Sequence, residues 1–322
     1  MDGKMKILFA YDGSECADAA LEDLRRAGLP AEAEAFVLSV ADVILPPPFD
    51  EVADEALPLH LALGIRRAHE HAAQTVERAR GLAEYAAGRV RTSFPGWEVR
   101  AEAWASSPAW AVVMKADAWK PDLVVVGAHG HTVIGGRLIL GSVSQRVLYE
   151  ARCSVRVARN SHRPDGSPVR VLVGTDNSPD AAAAIDAVAA RAWPAGTEVR
   201  LVAVLDTVMP VSQSEGGVHV LRWVEVGKEE EWGWVKDIFE ASAERLRAKG
   251  LDTTVVLKKG NPKHALIEEA ESWGADSIFV GARGARGIDR LLIGSVSAAA
   301  AARAHCSVEV VRPPEKPPEA GA

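Results

Sequence analysis

The sequence predicts an α/β protein made of two tandem, doubly wound, five-stranded and mostly parallel sheets of Rossmann-like type, related by a pseudo-two-fold axis. Three observations carry this expectation. Short β-branched apolar runs alternate with longer helical patterns along the chain. The whole pattern occurs twice. Each copy holds a glycine-rich loop between a strand-like and a helix-like run, GAHGHTVIGGRLILGSVS at 127–144 and GARGARGIDRLLIGSVS at 281–297.

In the first half the predicted strands are ILFAY, AFVLSV, WEVRAEAW, DLVVVG and SVRVA. Their near-continuous apolar character fits parallel strands covered on both faces. Helices are expected between them at 14–26, 63–92, 108–118 and 142–150. The second half repeats the order. KILFAYDGSECADAALEDLRRA aligns with VRVLVGTDNSPDAAAAIDAVAARA, KPDLVVVGAHG with GADSIFVGARG, and ARCSVRVAR with AHCSVEVVR. The offset between copies is 164 residues at Asp12 and Asp176 but 153 at Gly141 and Gly294, so the halves differ by loop insertions. The polar, turn-rich stretch NSHRPDGSP separates them. The expected organisation is one domain over 1–159, a linker over 160–168, a second domain over 169–312 and a Pro-rich, disordered tail over 313–322.

Composition narrows the function classes. The 322 residues are 48% hydrophobic and 25% charged, an ordinary globular balance with room for two cores. A net charge of −7 argues against nucleic acid and against a membrane surface as partners. No apolar run reaches the ~18 residues of a membrane span. The first residues, MDGKMKILFAYDGS, enter a strand-like run without the apolar core of a secretory signal, so a cytoplasmic location is expected. Cys16, Cys153 and Cys306 form no CxxC pair and no metal-ligand pattern. Cys153 and Cys306 read as small apolar residues beside strands.

The glycine loops point to an anion. Gly281 and Gly284 permit positive φ and close approach of a ligand to the main chain. Ser295 reads as the N-cap of the following helix, whose first N–H groups and dipole favour phosphate. Glycines that merely close a tight connection are the alternative reading for either copy alone, and the repetition of the loop with the same GSVS ending favours phosphate. No GxxxxGK[ST] loop occurs, and no GxGxxG follows a first strand. His129 and His131, in HGHT, read as loop histidines.

These residues resemble the universal stress protein family in its tandem form, over nearly all of 5–312. The family's ATP-binding members carry G-2x-G-9x-G-[S/T] after the fourth strand, a spacing matched by Gly281, Gly284, Gly294 and Ser295. Gly127, Gly130, Gly141 and Ser142 match it with one residue too many before Gly141. The resemblance implies an adenine-nucleotide alpha-hydrolase-like fold and an adenosine pocket that uses Asp12 and Val40 in the first half and Thr175, Asp176 and Val204 in the second. Arg283, Val296 and Ser297 complete the set around the second loop. The family's Gly-x-Pro appears as Gly260-Asn261-Pro262, whereas the first half has Ser106-Ser107-Pro108. Asp12 and Asp176 read equally as turn residues capping the first helix, and Val40 and Val204 as core strand residues.

The resemblance thus implies an ATP-binding regulatory protein of stress response without dedicated catalysis, taking ATP with Mg or Mn through its phosphates and using the second half more fully than the first. A non-nucleotide dimerisation module and a slow ATPase are the other readings. SVRVA and SVEVV end the two halves as edge strands, so the halves are expected to pair with each other antiparallel, with a homodimer as a further possibility.

Overall fold

In a computed structural model the structure describes residues 3–43, 59–129, 140–160, 166–205, 208–215, 218–225, 229–284 and 293–313. The first half holds strands β1 (Met5–Ala10), β2 (Ala33–Ala41), β3 (Glu98–Ala105), β4 (Leu123–Gly127) and β5 (Ser154–Ala158). Its helices are α1 (Glu15–Asp23), α2 (Leu59–Ser93), α3 (Pro108–Trp119) and α4 (Ser142–Glu150). The second half holds β6 (Arg170–Thr175), β7 (Glu198–Leu205), β8 (Val208–Glu215), β9 (Val218–Glu225), β10 (Asp252–Lys259), β11 (Ser277–Gly281) and β12 (Ser307–Val311). Its helices are α5 (Pro179–Ala189), α6 (Glu229–Arg247), α7 (Pro262–Trp273) and α8 (Ser295–Arg303).

Each half has the five parallel strands expected, and the two sets join into one ten-stranded sheet of order β10-β7-β6-β11-β12-β5-β4-β1-β2-β3. Among the described residues, the only antiparallel pairing in that sheet is between β12 and β5, with Val308 opposite Val157, Glu309 opposite Arg156 and Val310 opposite Val155. The sequence pattern held no counterpart of the β8–β9 hairpin, which forms a separate two-stranded sheet in the second half. Helix boundaries shift slightly. The helix expected at 14–26 closes as a 3₁₀ turn over Leu24–Arg26, and α2 runs to Ser93.

The two faces of the sheet are covered differently. On one face α3, α4, α7 and α8 rest on a single apolar layer that crosses the seam, with Val155, Val157, Val308 and Val310 at its centre. On the other face α1 and α2 cover the first half and α5 and α6 the second, over separate apolar clusters. Alternation along a strand explains the difference, because successive residues of β5 and β12 point to opposite faces. The valines therefore enter the shared layer, and Arg156 and Glu309 face the gap between the two separate clusters.

That gap is filled by charge. Arg156 is 0% exposed, with Nε 2.6 Å from Asp23 Oδ2, Nη2 3.0 Å from Asp23 Oδ1 and Nη1 3.3 Å from Glu309 Oε2. Arg191 binds the other oxygen of Glu309, and Ser307 Oγ donates to Asp23 Oδ1 at 2.7 Å. Burial opposes the Arg156 charge, but Asp23 and Glu309 outweigh it and hold its pKa above the ordinary value. Further ties cross nearby. Arg26 makes a two-pronged contact to Asp276 (3.0 and 2.9 Å), and the Gly28 carbonyl accepts from Ala192 N–H. Gly28 has φ +61°, and a Cβ there would come within 2.6 Å of the Trp193 ring, so only glycine lets the halves close here.

Removing one member of a buried charge network strands the others without compensation. Arg156→Met is expected to lower the stability of the chain by about 3–5 kcal/mol, read as a fall in the urea midpoint. A loss below about 1 kcal/mol would show that the seam does not depend on this network.

Candidate functional site

In each half the chain winds from the first strand to one side and then crosses over to the other. The reversal falls between β1 and β4 and between β6 and β11. In open α/β sheets such reversals leave crevices at the carboxyl ends of the strands. The residues that the sequence predicts for the second-half site lie there. Thr175 ends β6, Asp176 follows it, Val204 is near the end of β7, and Gly281 ends β11 with Arg283 and Gly284 beyond it. Asp12, Val40, Gly127, Gly141 and Ser142 hold matching places in the first half. Gly130 and His131 lie outside the described residues.

Asp176 and Asp12 serve the first helix of their half. Asp176 Oδ1 accepts from Ser178 N–H at 3.1 Å, and Ser178 Oγ accepts from Ala181 N–H at 3.2 Å as the N-cap of α5. Asp12 Oδ1 accepts from Ser14 N–H at 3.0 Å and from its hydroxyl at 2.6 Å, and Ser14 caps α1. The turn between requires a left-handed residue, Gly13 at φ +76° and Asn177 at φ +60°. Thr175 Oγ1 accepts from Asn177 N–H at 3.3 Å. Val40 and Val204 are half-buried and pack against the shared apolar layer, which also receives the Val296 side chain.

The glycines divide into two kinds. A Cβ on Gly281 would lie 2.5–2.6 Å from the Asp180 carbonyl, and one on Gly127 would lie 2.7–2.8 Å from that of Cys16. These two glycines let the first helix rest against the end of the fourth strand. Gly284 is exposed, and a Cβ there would meet Asp176 Oδ2 at 2.6 Å, so its backbone passes beside the carboxylate at the mouth of the crevice.

Beyond the loop the helix starts one residue earlier than the sequence suggested. Gly294, not Ser295, is the N-cap of α8, with φ −64° and ψ 147° and no side-chain hydrogen bond to the first turn. Gly141 takes the same place before α4. A serine cap would cover one of the first N–H groups with its own hydroxyl. A glycine cap leaves those of Ser295, Val296 and Ser297 without an acceptor from the helix or from its cap. Ser295 is exposed at the first helical position. Ser297 is buried, and its hydroxyl donates to the Gly281 carbonyl at 2.6 Å, as Ser144 does to Gly127 at 2.5 Å. The second serine of each GSVS thus ties the helix to the strand. The bond from Gly294 N–H to the Ala282 carbonyl, 2.6 Å, closes the loop.

Arg283 is engaged elsewhere. Its guanidinium forms a two-pronged pair with Asp180 at 2.9 and 3.1 Å, and its N–H donates to the same carboxylate at 3.1 Å. Sequence reasoning missed Asp180, since an acidic residue in a helix's first turn has an ordinary dipole role. Its only signal is that the repeat aligns it with Cys16, just as it aligns Arg283 with His129. Near the second-half crevice, Gly260 has φ +119° and Asn261 caps α7 through a 3.0 Å bond from Lys263 N–H. In the first half Ser107 caps α3 without a side-chain bond. Phosphate in the second crevice would therefore meet backbone N–H groups and the Ser295 hydroxyl, not a free cationic side chain from Arg283.

Comparison with known proteins identifies the family. The sequence model of the Universal stress protein family matches residues 4–159 and again 169–312. A universal stress protein of Mycolicibacterium smegmatis is 29% identical over 319 residues, 95% of this chain and 97% of that protein. Universal stress protein YxiE of Bacillus subtilis is 30% identical over 146 residues, 44% of this chain and 98% of its own length. The crystal structure of a universal stress protein from Archaeoglobus fulgidus superposes with a TM-score of 0.65 at 20% identity, covering 95% of this chain and 98% of that one. Among the described residues no helix is long and apolar enough to cross a membrane. With both halves matched in turn, the chain belongs to the universal stress protein family.

Proposed function

We propose that the second half binds ATP, with its phosphates at the N-terminus of α8 and its adenosine over the carboxyl ends of β6 and β7, and that the chain serves a regulatory stress-response role without dedicated catalysis. The observation that carries this reading is the glycine-capped start of α8. Its first-turn N–H groups lie beyond a loop whose Gly284 backbone passes beside Asp176, within one crevice. Helix N-termini of this kind are ready-made phosphate sites. The unbroken spacing of Gly281, Gly284 and Gly294 supports the same assignment. In this reading Asp176 would accept a ribose hydroxyl and Val204 would border the base. Mg²⁺ or Mn²⁺ would arrive on the phosphates and keep water ligands, as such ions commonly do. The first half lacks a glycine at Ser106 and has a longer loop, so it is the weaker or empty site.

Two glycine variants separate binding from folding. Gly284→Val is expected to weaken ATP binding by at least ~10-fold (about 1.4 kcal/mol) with a nearly unchanged melting temperature, since the new side chain meets only a carboxylate end. Gly281→Ala presses a methyl into backbone and is expected to cost about 1–3 kcal/mol of stability. Titration calorimetry on the intact chain, freed of co-purified nucleotide, should give close to one ATP per chain. Wild-type affinity in Gly284→Val would overturn the cradle assignment, two equal sites would overturn the asymmetry, and heat-silent titration with no retained nucleotide would favour an interaction module. Steady release of phosphate at saturating Mg²⁺ would favour a slow ATPase.

A further inference from the structure

The two halves present different surfaces where α3 and α4, or α7 and α8, lie side by side. Trp110 and Met114 stand one turn apart on α3 and are 47% and 41% exposed, and Tyr149 on α4 is 41% exposed. A spacing of four puts the two α3 side chains on one stripe, which Asp117 continues toward the end of the helix. Asp117 Oδ1 lies 3.8 Å from Nε of Arg152, just beyond α4. Tyr149 precedes Arg152 by three residues, so it flanks the stripe where the two helices meet. In the second half the same corner is made by Glu271 and His305, 3.6 Å apart. The residues aligned there with Trp110, Met114 and Tyr149 are His264, Glu268 and Ala302. The framework is repeated, but the exposed apolar residues belong to one copy. Trp, Tyr and Met together on a surface have the composition of an interface centre.

The chain leaves the described structure beside this patch. Beyond β12 the Arg312 N–H donates to Ser154 Oγ at 3.1 Å, and its guanidinium donates to the carbonyls of Leu148 and Cys153 at 2.7 and 3.2 Å. Leu148 immediately precedes Tyr149, and Cys153 immediately follows Arg152. The next residues read Pro313-Pro314-Glu315-Lys316-Pro317-Pro318. Such a proline content favours polyproline II, which rises about 3.1 Å per residue and so spans roughly 16 Å from Pro313 to Pro318. Along α3 the distance from Asp117 back to Trp110 is about 10 Å, at about 1.5 Å per residue. The segment is long enough to cross the patch. At the equivalent exit after β5, Arg159 donates to the carbonyls of Ala301 and Cys306 at 2.6 and 3.4 Å. There the chain goes on to β6, and the surface beside it is the polar one.

We propose that residues 314–318 fold back in polyproline II form across Trp110, Met114 and Tyr149, with proline rings on the exposed aromatic faces and Glu315 beside Arg152. Proline-rich segments dock on aromatic-lined surfaces because they are already extended, so that little conformational freedom is lost on binding. The Arg152 side chain is 59% exposed and its contact with Asp117 is long, which leaves it accessible to a second carboxylate. The segment starts next to its anchor at Arg312, and so short a tether gives an effective concentration in the millimolar range, at which weak contacts suffice. Docked, it covers apolar surface that would otherwise favour association between chains.

Methyl-labelled methionine gives a direct reading in the intact chain, which holds four methionines. The Met114 resonance, assigned through Met114→Leu, is expected to show contacts to proline ring protons. It should move when Pro317→Ser and Pro318→Ser are combined, while the Met5 resonance stays in place. A glutamyl endopeptidase supplies the second reading. Cleavage after Glu315 should run at least ~5-fold faster in Trp110→Ser than in the wild type, since cutting follows the population of the undocked segment. A Met114 resonance that does not respond to the proline substitutions overturns the proposal, as does equal cleavage of the wild type and a folded Trp110→Ser protein. A Met114 shift that depends on protein concentration assigns the patch to a second copy of the chain and overturns it too. Should Trp110→Ser not fold, the proline substitutions, which leave both halves untouched, decide by themselves.

Discussion

The antiparallel pairing of β5 with β12 sets how the two halves of this molecule meet, and the buried contact of Arg156 with Asp23 and Glu309 fixes that pairing. A slip of one residue would leave Arg156 and Glu309 on opposite faces of the sheet, with one charge in the valine layer and one strand's valines in the charged gap. The network contributes little net stability by comparison with a well-packed apolar seam, because two carboxylates and two guanidiniums must be desolvated to make it. Its effect is selection of one register. The apolar layer under α3, α4, α7 and α8 accepts the seam only when that register is correct.

From this seam the halves become mutually dependent. Arg159 closes the end of α8 and Arg312 the end of α4, so each helix that follows a glycine loop has its far end held by the opposite half. Cations at helix C-termini are favourable both for the free carbonyls and for the dipole. Each of these helices starts at a glycine cap and ends on an arginine from across the seam. The loop itself is anchored at both ends, by Ser297 to Gly281 and by Gly294 to Ala282.

Within that frame the two halves differ in the residues around their crevices. Asp180 and Arg283 form a salt bridge beside the end of β11, and Cys16 and His129 hold the equivalent positions in the first half. Gly260 adopts a backbone geometry beside the second crevice that side chains rarely adopt, whereas Ser106 stands at the aligned position of the first half and has no positive φ. The repeated scaffold thus carries different polar residues at its two crevices.

Much of the fold was legible because hydrophobic period is a local signal. Strand and helix order, the repeat, and the strand-end placement of Thr175, Asp176, Val204, Gly281 and Gly284 all follow from apolar runs and turn residues. The β8–β9 hairpin was not read, because an insertion in one copy has no counterpart to align it with. The cap of α8 was misplaced by one residue, since Gly and Ser are both acceptable caps and only backbone dihedrals distinguish them. Tertiary structure alone decided the partners of charged residues. Asp23 lies 133 positions from Arg156 and Asp180 lies 103 from Arg283, and in the sequence each aspartate is one more acidic residue on an amphipathic helix. Local pattern determines which way a side chain faces. Which opposite charge it meets depends on where distant segments come together, within one half for Asp23 with Arg156 and for Asp180 with Arg283, and across the paired edge strands for Glu309 with Arg156.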